Sequence, residues 1–157
     1  VMLDKQLGLW SDLLRQNTGK DVTRLRHGGA AGGITAAMYA LLNAQLVSGS
    51  EYCLTLSRFH DYLLQAGVVI TGEGKIDLQS FYGKIPGTIA NFCQKQNIPV
   101  YAVVGLAEKQ VLPRFDKVFT MSQYARSVQD SIKNAPYYLK IIAQAIVDTL
   151  YLSAYSD

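Results

Sequence analysis

The chain has 157 residues, of which 49% are hydrophobic and 17% are charged, a composition typical of folded globular proteins and not of disordered ones. Its 15 basic and 12 acidic residues give a formal net charge of +3. They are scattered along the sequence, which argues against a nucleic-acid-binding groove, because such a groove needs a clustered basic face. No apolar run reaches the roughly 20 residues of a membrane span and no signal-peptide pattern is visible, so we expect a reducing cytoplasm and no membrane contact.

The N-terminal part of the chain is predicted to be mostly helical. Four apolar residues follow spacings of four, three and four, which indicate an amphipathic helix: Leu3, Leu7, Trp10 and Leu14. Because that helix is already under way at the first residue, we expect the chain to be a fragment of a longer protein. The segment 28–49 predicts a glycine-rich turn and then a helix that ends near Gly49 with a glycine cap.

Strands and helices alternate in the rest of the chain. Residues 51–56 predict a short strand, and Ser57 predicts the N-cap of a helix closed by Gly67. Further strands are expected at 68–71, 98–105 and 117–121, a helix at 85–96 with Pro86 in its first turn, a short helix or turn at 108–115, and helices from 127 to 155. This alternation predicts right-handed crossovers and a parallel sheet with helices on its faces, an α/β fold.

Two sets of apolar residues are expected to be buried. Cys53 and Cys93 lack the spacing of a metal or redox motif and are predicted to be buried, reduced thiols; with His27 and His60 as the histidines of the chain, a zinc site is not expected. The last helix has a stripe predicted to face the core, formed by Leu139, Ile142, Ile146 and Leu150. Its other apolar residues, including Tyr138 and Tyr151, would cover a missing half of the protein or a homodimer partner.

The stretch 68–84, VVITGEGKIDLQSFYGK, concentrates glycine and charge at the end of a predicted buried strand. In open parallel sheets ligands bind beyond the carboxyl ends of the strands, and a helix that begins near Lys84 would present unpaired N–H groups to an anion. Lys75 and Lys84 add positive charge, while Glu73 and Asp77 add carboxylates that suit magnesium or proton abstraction. This combination predicts a phosphoryl-transfer site; the alternative is a solvated turn whose charges face water.

Two common phosphate-binding motifs are excluded. The pattern GxxxxGK[ST] fails, because Leu78 occupies its first glycine position and Ile85 its Ser or Thr position. The dinucleotide pattern GxGxxG matches at Gly72 and Gly74, but Asp77 occupies its third glycine position. Gly72 and Gly74 are nevertheless expected to give the backbone conformations closed to other residues and to let it approach a ligand closely.

A second glycine-rich segment, HGGAAGG at 27–33, also precedes a predicted helix. Gly28, Gly29, Gly32 and Gly33 would let the backbone wrap around an anion at the start of that helix. The alternative is tight helix packing, since small residues let backbones approach. Because a second glycine-rich segment lies at a strand end, we favour a ligand cleft shared by the two segments.

Three segments resemble the glycerate kinase type 1 family: GGAAGGITAAMYALLNAQL at 28–46, ITGEGKIDLQSFYGKIP at 70–86 and IPVYAVVG at 98–105. Their order and spacing agree with the family pattern, and the second motif is long and specific. The chain departs from that pattern at two positions, where His27 replaces a glycine of the first motif and Lys75 replaces an arginine of the second. A lysine keeps the charge but loses the bidentate geometry of arginine.

The resemblance implies the C-terminal half of such an enzyme, since family members are roughly twice as long as this chain. The family fold is a Rossmann-like α/β domain with a second α/β domain inserted into it. By that analogy residues 1–60 close the inserted domain and residues 61–157 form the C-terminal part of the Rossmann-like domain. The activity implied is phosphorylation of D-glycerate by ATP with Mg²⁺ in a cleft between the domains, and the partners implied are this substrate and the missing N-terminal half.

A fragment of this length is not expected to be active alone, and two alternatives stay open: a Rossmann-like domain that binds a nucleotide or a sugar phosphate without catalysis, and one with another activity. The catalytic candidates are Asp77, Glu73 and Lys75. We favour Asp77 as the base, and Glu73 or Asp77 would bind Mg²⁺. Gln79 and Ser80 would hydrogen-bond substrate hydroxyls, unless Ser80 is only a helix cap. The residues expected to bind phosphate or substrate are Gly72, Gly74, Gln79, Ser80, Gly83 and Lys84, together with Gly28, Gly29, Ala30, Ala31, Gly32 and Gly33.

Overall fold

The computed structural model describes residues 2–154, with side chains described up to residue 152. The chain divides into two compact units, Val1–Ser48 and Gly49–Asp157. No helix within residues 2–154 is both long enough and apolar enough to cross a membrane. The assignment of residues 1–60 and 61–157 to parts of two domains stays a prediction.

The first unit consists of helices around a small apolar core. Helix α1 spans Met2–Thr18, a 3₁₀ helix spans Ala30–Gly33 and helix α2 spans Ile34–Leu42. The buried residues of this core are Leu14, Val22, Ala36 and Ala40. The predicted stripe on α1 is buried only in part, because Leu14 is 3% exposed and Leu3 is 73% exposed.

Helix α2 ends at Leu42, earlier than the glycine cap near Gly49 that we predicted. Asn43 adopts a left-handed φ of 55°, and its N–H donates to the Met38 carbonyl. Residues in this conformation end helices, and asparagine tolerates it better than other non-glycine residues. The predicted position of the helix end is therefore wrong.

Residues 51–56 form a helix and not the predicted strand. Helix α3 spans Gly49–Leu56 and buries Ser50 and Leu54, whose spacing of four places them on one helical face. A run of six residues is too short for periodicity to separate a strand from a helix. The tertiary contacts of these residues decide whether they form a strand or a helix.

Helix α4 also differs from its prediction. It spans Phe59–Leu63 and begins after Arg58, whose φ is 54°. Ser57 does not act as its N-cap, since the Ser57 hydroxyl donates to the Leu54 carbonyl. The helix ends before the predicted closing residue, Gly67.

The second unit contains a parallel sheet in the order β1–β2–β3. Strand β1 spans Val69–Ile76, β2 spans Val100–Ala107 and β3 spans Lys117–Thr120. Helix α5 spans Ile85–Gln96, α6 spans Val128–Lys133 and α7 spans Ala135–Ala154. Short 3₁₀ helices lie at Leu78–Phe81, Lys109–Arg114 and Met121–Gln123. The predicted α/β fold with a parallel sheet and flanking helices is confirmed.

Helices cover both faces of this sheet. The larger core packs α5 against one face of β2, through Ile89, Ala90, Cys93, Val100, Ala102 and Val104. On the other face, Ile142 and Ile146 of α7 pack against Tyr101 and Val103. Of the predicted stripe on α7, Leu139 is instead exposed. Residue 155, at the predicted end of this helix, lies outside the described residues.

The predictions for Cys53 and Tyr138 are wrong, whereas the prediction for Cys93 is confirmed. Cys93 is buried, and burial raises the pKa of its thiol to about 11, whereas Cys53 is exposed. Tyr138 is buried and its hydroxyl donates to Asp130 at 2.7 Å, so it is not free to cover a partner; Tyr151 is exposed.

Strand β1 is longer than the four residues predicted, and its additional residues carry part of the candidate site. Pairing with β2 continues from Val69 to Ile76, so Glu73 and Lys75 are strand residues and not loop residues. Gly72 and Gly74 have no left-handed φ. Gly72 is required because a Cβ there would lie 2.9 Å from the Val103 carbonyl oxygen, in the neighbouring strand. The predicted glycine-rich loop therefore begins only at Asp77.

Candidate active site

A tight turn follows β1 and fixes Asp77. The Asp77 Oδ1 accepts a hydrogen bond from the Gln79 N–H at 2.9 Å, and the Asp77 N–H donates to the Ser80 Oγ at 3.2 Å. This reciprocal arrangement is a capping box for the 3₁₀ helix Leu78–Phe81. Asp77 is thus held by local backbone geometry that the sequence DLQS specifies.

Glu73 is held by two partners, one at each carboxylate oxygen. The Ser80 hydroxyl donates to its Oε2 at 2.8 Å, and the Lys84 ammonium lies 3.1 Å from its Oε1. Ser80 is fully buried, so its hydroxyl joins the turn at Asp77 to the Glu73 carboxylate. Lys84 is the residue before α5 and keeps about half of its side chain exposed.

Lys75 lies between two carboxylates. Its ammonium is 2.8 Å from the Glu108 Oε1 and 3.4 Å from the Asp77 Oδ2. The hydrogen bond to Glu108 raises the pKa of Lys75 and lowers the pKa of Glu108. Desolvation raises the pKa of Asp77, but hydrogen bonds from Lys75 and the Gln79 N–H outweigh it and leave that pKa below its usual value.

The charges of this cluster do not cancel. Glu73, Asp77 and Glu108 bring three carboxylates, whereas Lys75 and Lys84 bring two ammonium groups. When all are ionised, one negative charge is in excess. A phosphate group bound here would therefore require further positive charge, from a bound cation or from the N-terminal end of α5.

A divalent cation fits this site only if substrate phosphates and water complete its coordination. Residues 2–152 contain no cluster of three or more His, Cys, Asp or Glu side chains that would hold a metal by themselves. Magnesium, however, is commonly held by one or two carboxylates together with substrate phosphates and water. Asp77 suits this arrangement, because among the described residues its Oδ2 contacts only Lys75, at the long distance of 3.4 Å.

The start of α5 packs closely against the turn. Gly83 adopts a left-handed φ of 91°, and Pro86 lies in the first turn of the helix as predicted. A Cβ on Gly87 would lie 2.1 Å from the Ser80 carbonyl oxygen, so only glycine permits this approach. Gly87 was not among the residues predicted from the sequence, although its place one residue after Pro86 marks a helix start.

Glu108 is a second residue of the site that was not predicted from the sequence. It follows the last residue of β2, and its N–H donates to the Ile76 carbonyl at the end of β1. The carboxyl ends of neighbouring parallel strands lie at the same edge of a sheet, and this rule would have found Glu108.

The segment 27–33 lies in the first unit and has an unusual backbone. His27 and Ala31 have left-handed φ values of 67° and 49°, and Gly32 and Gly33 follow at 72° and 93°. The Thr35 hydroxyl is hydrogen-bonded to the carbonyl oxygens of His27 and Gly28, at 2.7 and 2.9 Å. The cleft shared by this segment and residues 72–84 stays a prediction.

An open groove of about 930 Å³ adjoins the cluster in the second unit. Glu73 and Lys75 contribute to its lining, and most of the remaining lining is apolar. It is bounded by the sheet on one side and by α6 and α7 on the other, through residues that include Ile70, Val103, Ile132, Leu139, Ile142 and Ile146.

Comparison with known proteins places the chain in a family. The model of the glycerate kinase family matches residues 1–151. A glycerate kinase from Halalkalibacterium halodurans is 40% identical over 103 residues, which are 66% of this chain and 27% of that protein. A glycerate 2-kinase from Escherichia coli K12 is 38% identical over 105 residues, 67% of this chain and 28% of that protein.

A solved structure agrees with these relatives. Glycerate kinase 2 from Salmonella typhimurium LT2 matches with a TM-score of 0.66 and 33% identity, over 96% of this chain and 40% of that one. The chain thus spans between about a quarter and two fifths of the length of these relatives. On the family match and the shared fold, this chain belongs to the glycerate kinase family.

Proposed function

We propose that this chain supplies part of the active site of an ATP-dependent kinase that phosphorylates D-glycerate. The observation that carries the proposal is the cluster at the carboxyl end of β1, where Glu73, Lys75, Asp77 and Lys84 meet in a member of this family. Phosphoryl transfer requires mainly positioning and charge neutralisation; this cluster offers the positioning and two ammonium groups, and a bound cation would supply the remaining positive charge. The name of the relative from Escherichia coli, a glycerate 2-kinase, favours the 2-hydroxyl as the acceptor.

Asp77 is the proposed acceptor of the substrate's hydroxyl proton. Its Oδ1 accepts a hydrogen bond from the Gln79 N–H, but its Oδ2 has no partner in the described part of the chain other than Lys75, at a long distance. The lowered pKa of Asp77 makes it a weak base, which suits a loose phosphoryl-transfer transition state in which the proton leaves late. Glu73 is less suited, because both of its oxygens are already engaged.

Lys75 and Lys84 are proposed to bind the phosphate groups or the glycerate carboxylate, with help from the amides of Gly72, Gly74 and Gly83. Because negative charge is in excess in the cluster, we propose Mg²⁺ as a cofactor, held by the phosphates of ATP and by whichever of Glu73 and Asp77 does not accept the proton. Bound there, the cation would neutralise charge on the transferring group.

The two polar residues of the turn are given different roles. Gln79 is exposed and is proposed to hydrogen-bond a substrate hydroxyl. Ser80 is fully buried and already donates to Glu73, so we propose that it orients Glu73 and does not touch substrate. The glycine-rich segment, Gly28 to Gly33, is proposed to bind anionic substrate groups.

A binding domain without catalysis is the second candidate. It is favoured by the share of its relatives that the chain spans, about a quarter to two fifths, since a cleft shared with further residues would be incomplete in such a chain. We expect this chain alone to be inactive for that reason.

The free thiols Cys53 and Cys93 favour a reducing cytoplasm as the compartment.

The test is a coupled assay of ADP release with ATP, Mg²⁺ and D-glycerate, run beside calorimetric titration of ATP. ADP release that depends on D-glycerate, with phosphoglycerate detected by ³¹P NMR, supports the kinase, and the phosphorus shift identifies the hydroxyl. ATP binding without turnover, both in this chain and in any longer protein that contains it, supports the binding domain. Absence of both would overturn the proposed function.

A further inference from the structure

Glu108 occupies a fixed place beside the cluster although it is remote from it in sequence. Its N–H donates to the Ile76 carbonyl at 3.0 Å, and its own carbonyl accepts from the Val111 N–H at 3.1 Å. These bonds tie its backbone to the end of β1 on one side and to the 3₁₀ helix Lys109–Arg114 on the other. Its position is therefore set by the sheet and not by a free loop.

Each carboxylate oxygen of Glu108 has one partner. Oε1 is 2.8 Å from the Lys75 ammonium, and Oε2 accepts a hydrogen bond from the Gln110 side chain at 2.7 Å. Gln110 therefore orients the Glu108 carboxylate, and this carboxylate orients the Lys75 ammonium. About two fifths of the Glu108 side chain is exposed, so a ligand could reach the Lys75 end of the pair.

Glu108 and Asp77 compete for the same ammonium group. Lys75 is 0.6 Å closer to Glu108, at 2.8 Å against 3.4 Å. If Glu108 lost its charge, Asp77 would be the remaining carboxylate within ion-pair distance of Lys75 among the described residues. The ammonium would then move closer to the Asp77 Oδ2, because the other oxygen, Oδ1, already accepts the hydrogen bond from the Gln79 N–H.

We propose that Glu108 is a positioning residue of this site: by binding Lys75, it keeps the second carboxylate oxygen of Asp77 available to the substrate. Glu108 acts through Lys75 and does not itself touch substrate. The use of that oxygen rests on the proposed function. The competition for Lys75 is a property of the protein without substrate and is measured separately.

The first experiment measures the pKa of Asp77 by NMR in four proteins: the wild type, Glu108→Gln, Lys75→Met and the double variant. We expect Glu108→Gln to lower the Asp77 pKa by roughly half a unit or more, because Lys75 moves towards it. The charged groups that act on Asp77 are Lys75 and Lys84, and Glu108 and Asp77 also repel each other directly. In the Lys75→Met background the same change should have less than half of that effect.

Two outcomes of this cycle overturn the proposal. One is an unchanged Asp77 pKa in Glu108→Gln. The other is an equal shift with and without Lys75, which would show that Glu108 acts directly on Asp77. Glutamine keeps an oxygen that accepts from Gln110, so the variant removes the charge and retains the shape. Glu108→Asp, which keeps the charge on a shorter side chain, should shift the pKa less.

The second experiment uses whichever form of the protein shows ADP release that depends on D-glycerate. Glu108→Gln should lower kcat about tenfold and change KM less than about twofold, since positioning acts on the reacting step. Asp61→Asn removes a comparable carboxylate from the exposed pair with Arg58 and should leave kcat unchanged. An unchanged kcat in Glu108→Gln overturns the positioning role. If no form turns over D-glycerate, the proposed function fails, and the NMR cycle still decides whether Glu108 holds Lys75.

Discussion

At the scale of single residues, the site depends on which oxygens are already occupied. Glu73 and Asp77 carry the same charge and lie four residues apart, but Glu73 is engaged at both oxygens. The Asp77 Oδ2 has no partner other than Lys75 among the described residues, and that contact is long. This difference favours Asp77 over Glu73 as the proposed proton acceptor, in agreement with the sequence-based preference.

Asp77→Asn is expected to lower kcat by about 10²–10⁴, because it removes the proposed proton acceptor. Asparagine is also a good capping residue, so the turn should remain folded. The measurement is D-glycerate-dependent ADP release, with circular dichroism to check the fold. A kcat within about threefold of the wild type would contradict the catalytic role.

Ala31→Gly is expected to stabilise the protein by up to about 1 kcal/mol. Ala31 is exposed and has a φ of 49°, a conformation that costs a non-glycine residue of order 1–3 kcal/mol, and the greater freedom of unfolded glycine offsets part of the gain. Urea unfolding measures the change. Ala30→Gly is the matched control and should destabilise by roughly 0.5–1 kcal/mol; equal effects of the two variants would argue against backbone strain.

At the scale of elements, the sequence located helix α5 well, because Pro86 marks its first turn, and the helix spans Ile85–Gln96 as predicted. Gly49 and Gly67 did not mark helix ends, since α2 ends at Leu42 and α4 at Leu63. Residues 51–56, predicted as a strand, form part of α3. Strand β1 was predicted too short, because glycine and charge normally indicate a loop, whereas here Gly72 allows close pairing with β2.

Gly87→Ala is expected to destabilise the second unit by more than about 2 kcal/mol and to displace α5 from the turn. The new methyl group would lie 2.1 Å from the Ser80 carbonyl oxygen and 2.7 Å from the Phe81 Cα, which are backbone atoms. Thermal unfolding measures the loss. Gly49→Ala, where nothing lies within 4 Å of the new methyl group, should change stability by less than about 0.5 kcal/mol.

At the scale of the whole molecule, charge and apolar surface are unevenly distributed. The scattered charges of the sequence include a cluster of five ionisable groups at one end of β1 and β2. The second unit also leaves apolar side chains exposed in the groove beside that cluster, among them Ile132 at 71%. The charged cluster makes stability depend on pH, and the exposed apolar side chains predict binding of a hydrophobic dye.

Stability is expected to fall as the solution becomes acidic. Asp77, Glu108 and Asp130 have pKa values lowered by hydrogen bonds and, for the first two, by Lys75. Such carboxylates contribute stability that is present above the unfolded pKa and is lost as pH falls through the folded pKa. With unfolded values of about 4, urea midpoints should decline below about pH 5. Asp130→Asn should weaken this dependence; a midpoint constant from pH 7 to pH 3 would contradict the assignment.

The groove predicts binding of a hydrophobic dye. Exposed apolar patches bind such dyes, and Ile132 lines the groove. Ile132→Glu should lower the fluorescence of bound dye by more than about half. Leu64→Glu replaces a residue of equal exposure, 72%, that is not part of the groove lining, and should have little effect. Similar losses in both variants would rule out the groove as the main dye site.

The sequence by itself determined the α/β fold of the second unit and helix α5, and it singled out Glu73, Lys75, Asp77 and Lys84 as candidate site residues, because each of these inferences rests on local patterns of apolar, glycine and charged residues. Only the tertiary structure decided how these side chains pair, since an ion pair such as Lys75–Glu108 joins residues 33 positions apart. It also decided that Ser80 is buried and that Gly87 must be a glycine. Burial and close approach depend on which segments fold together, and no short stretch of sequence contains that information.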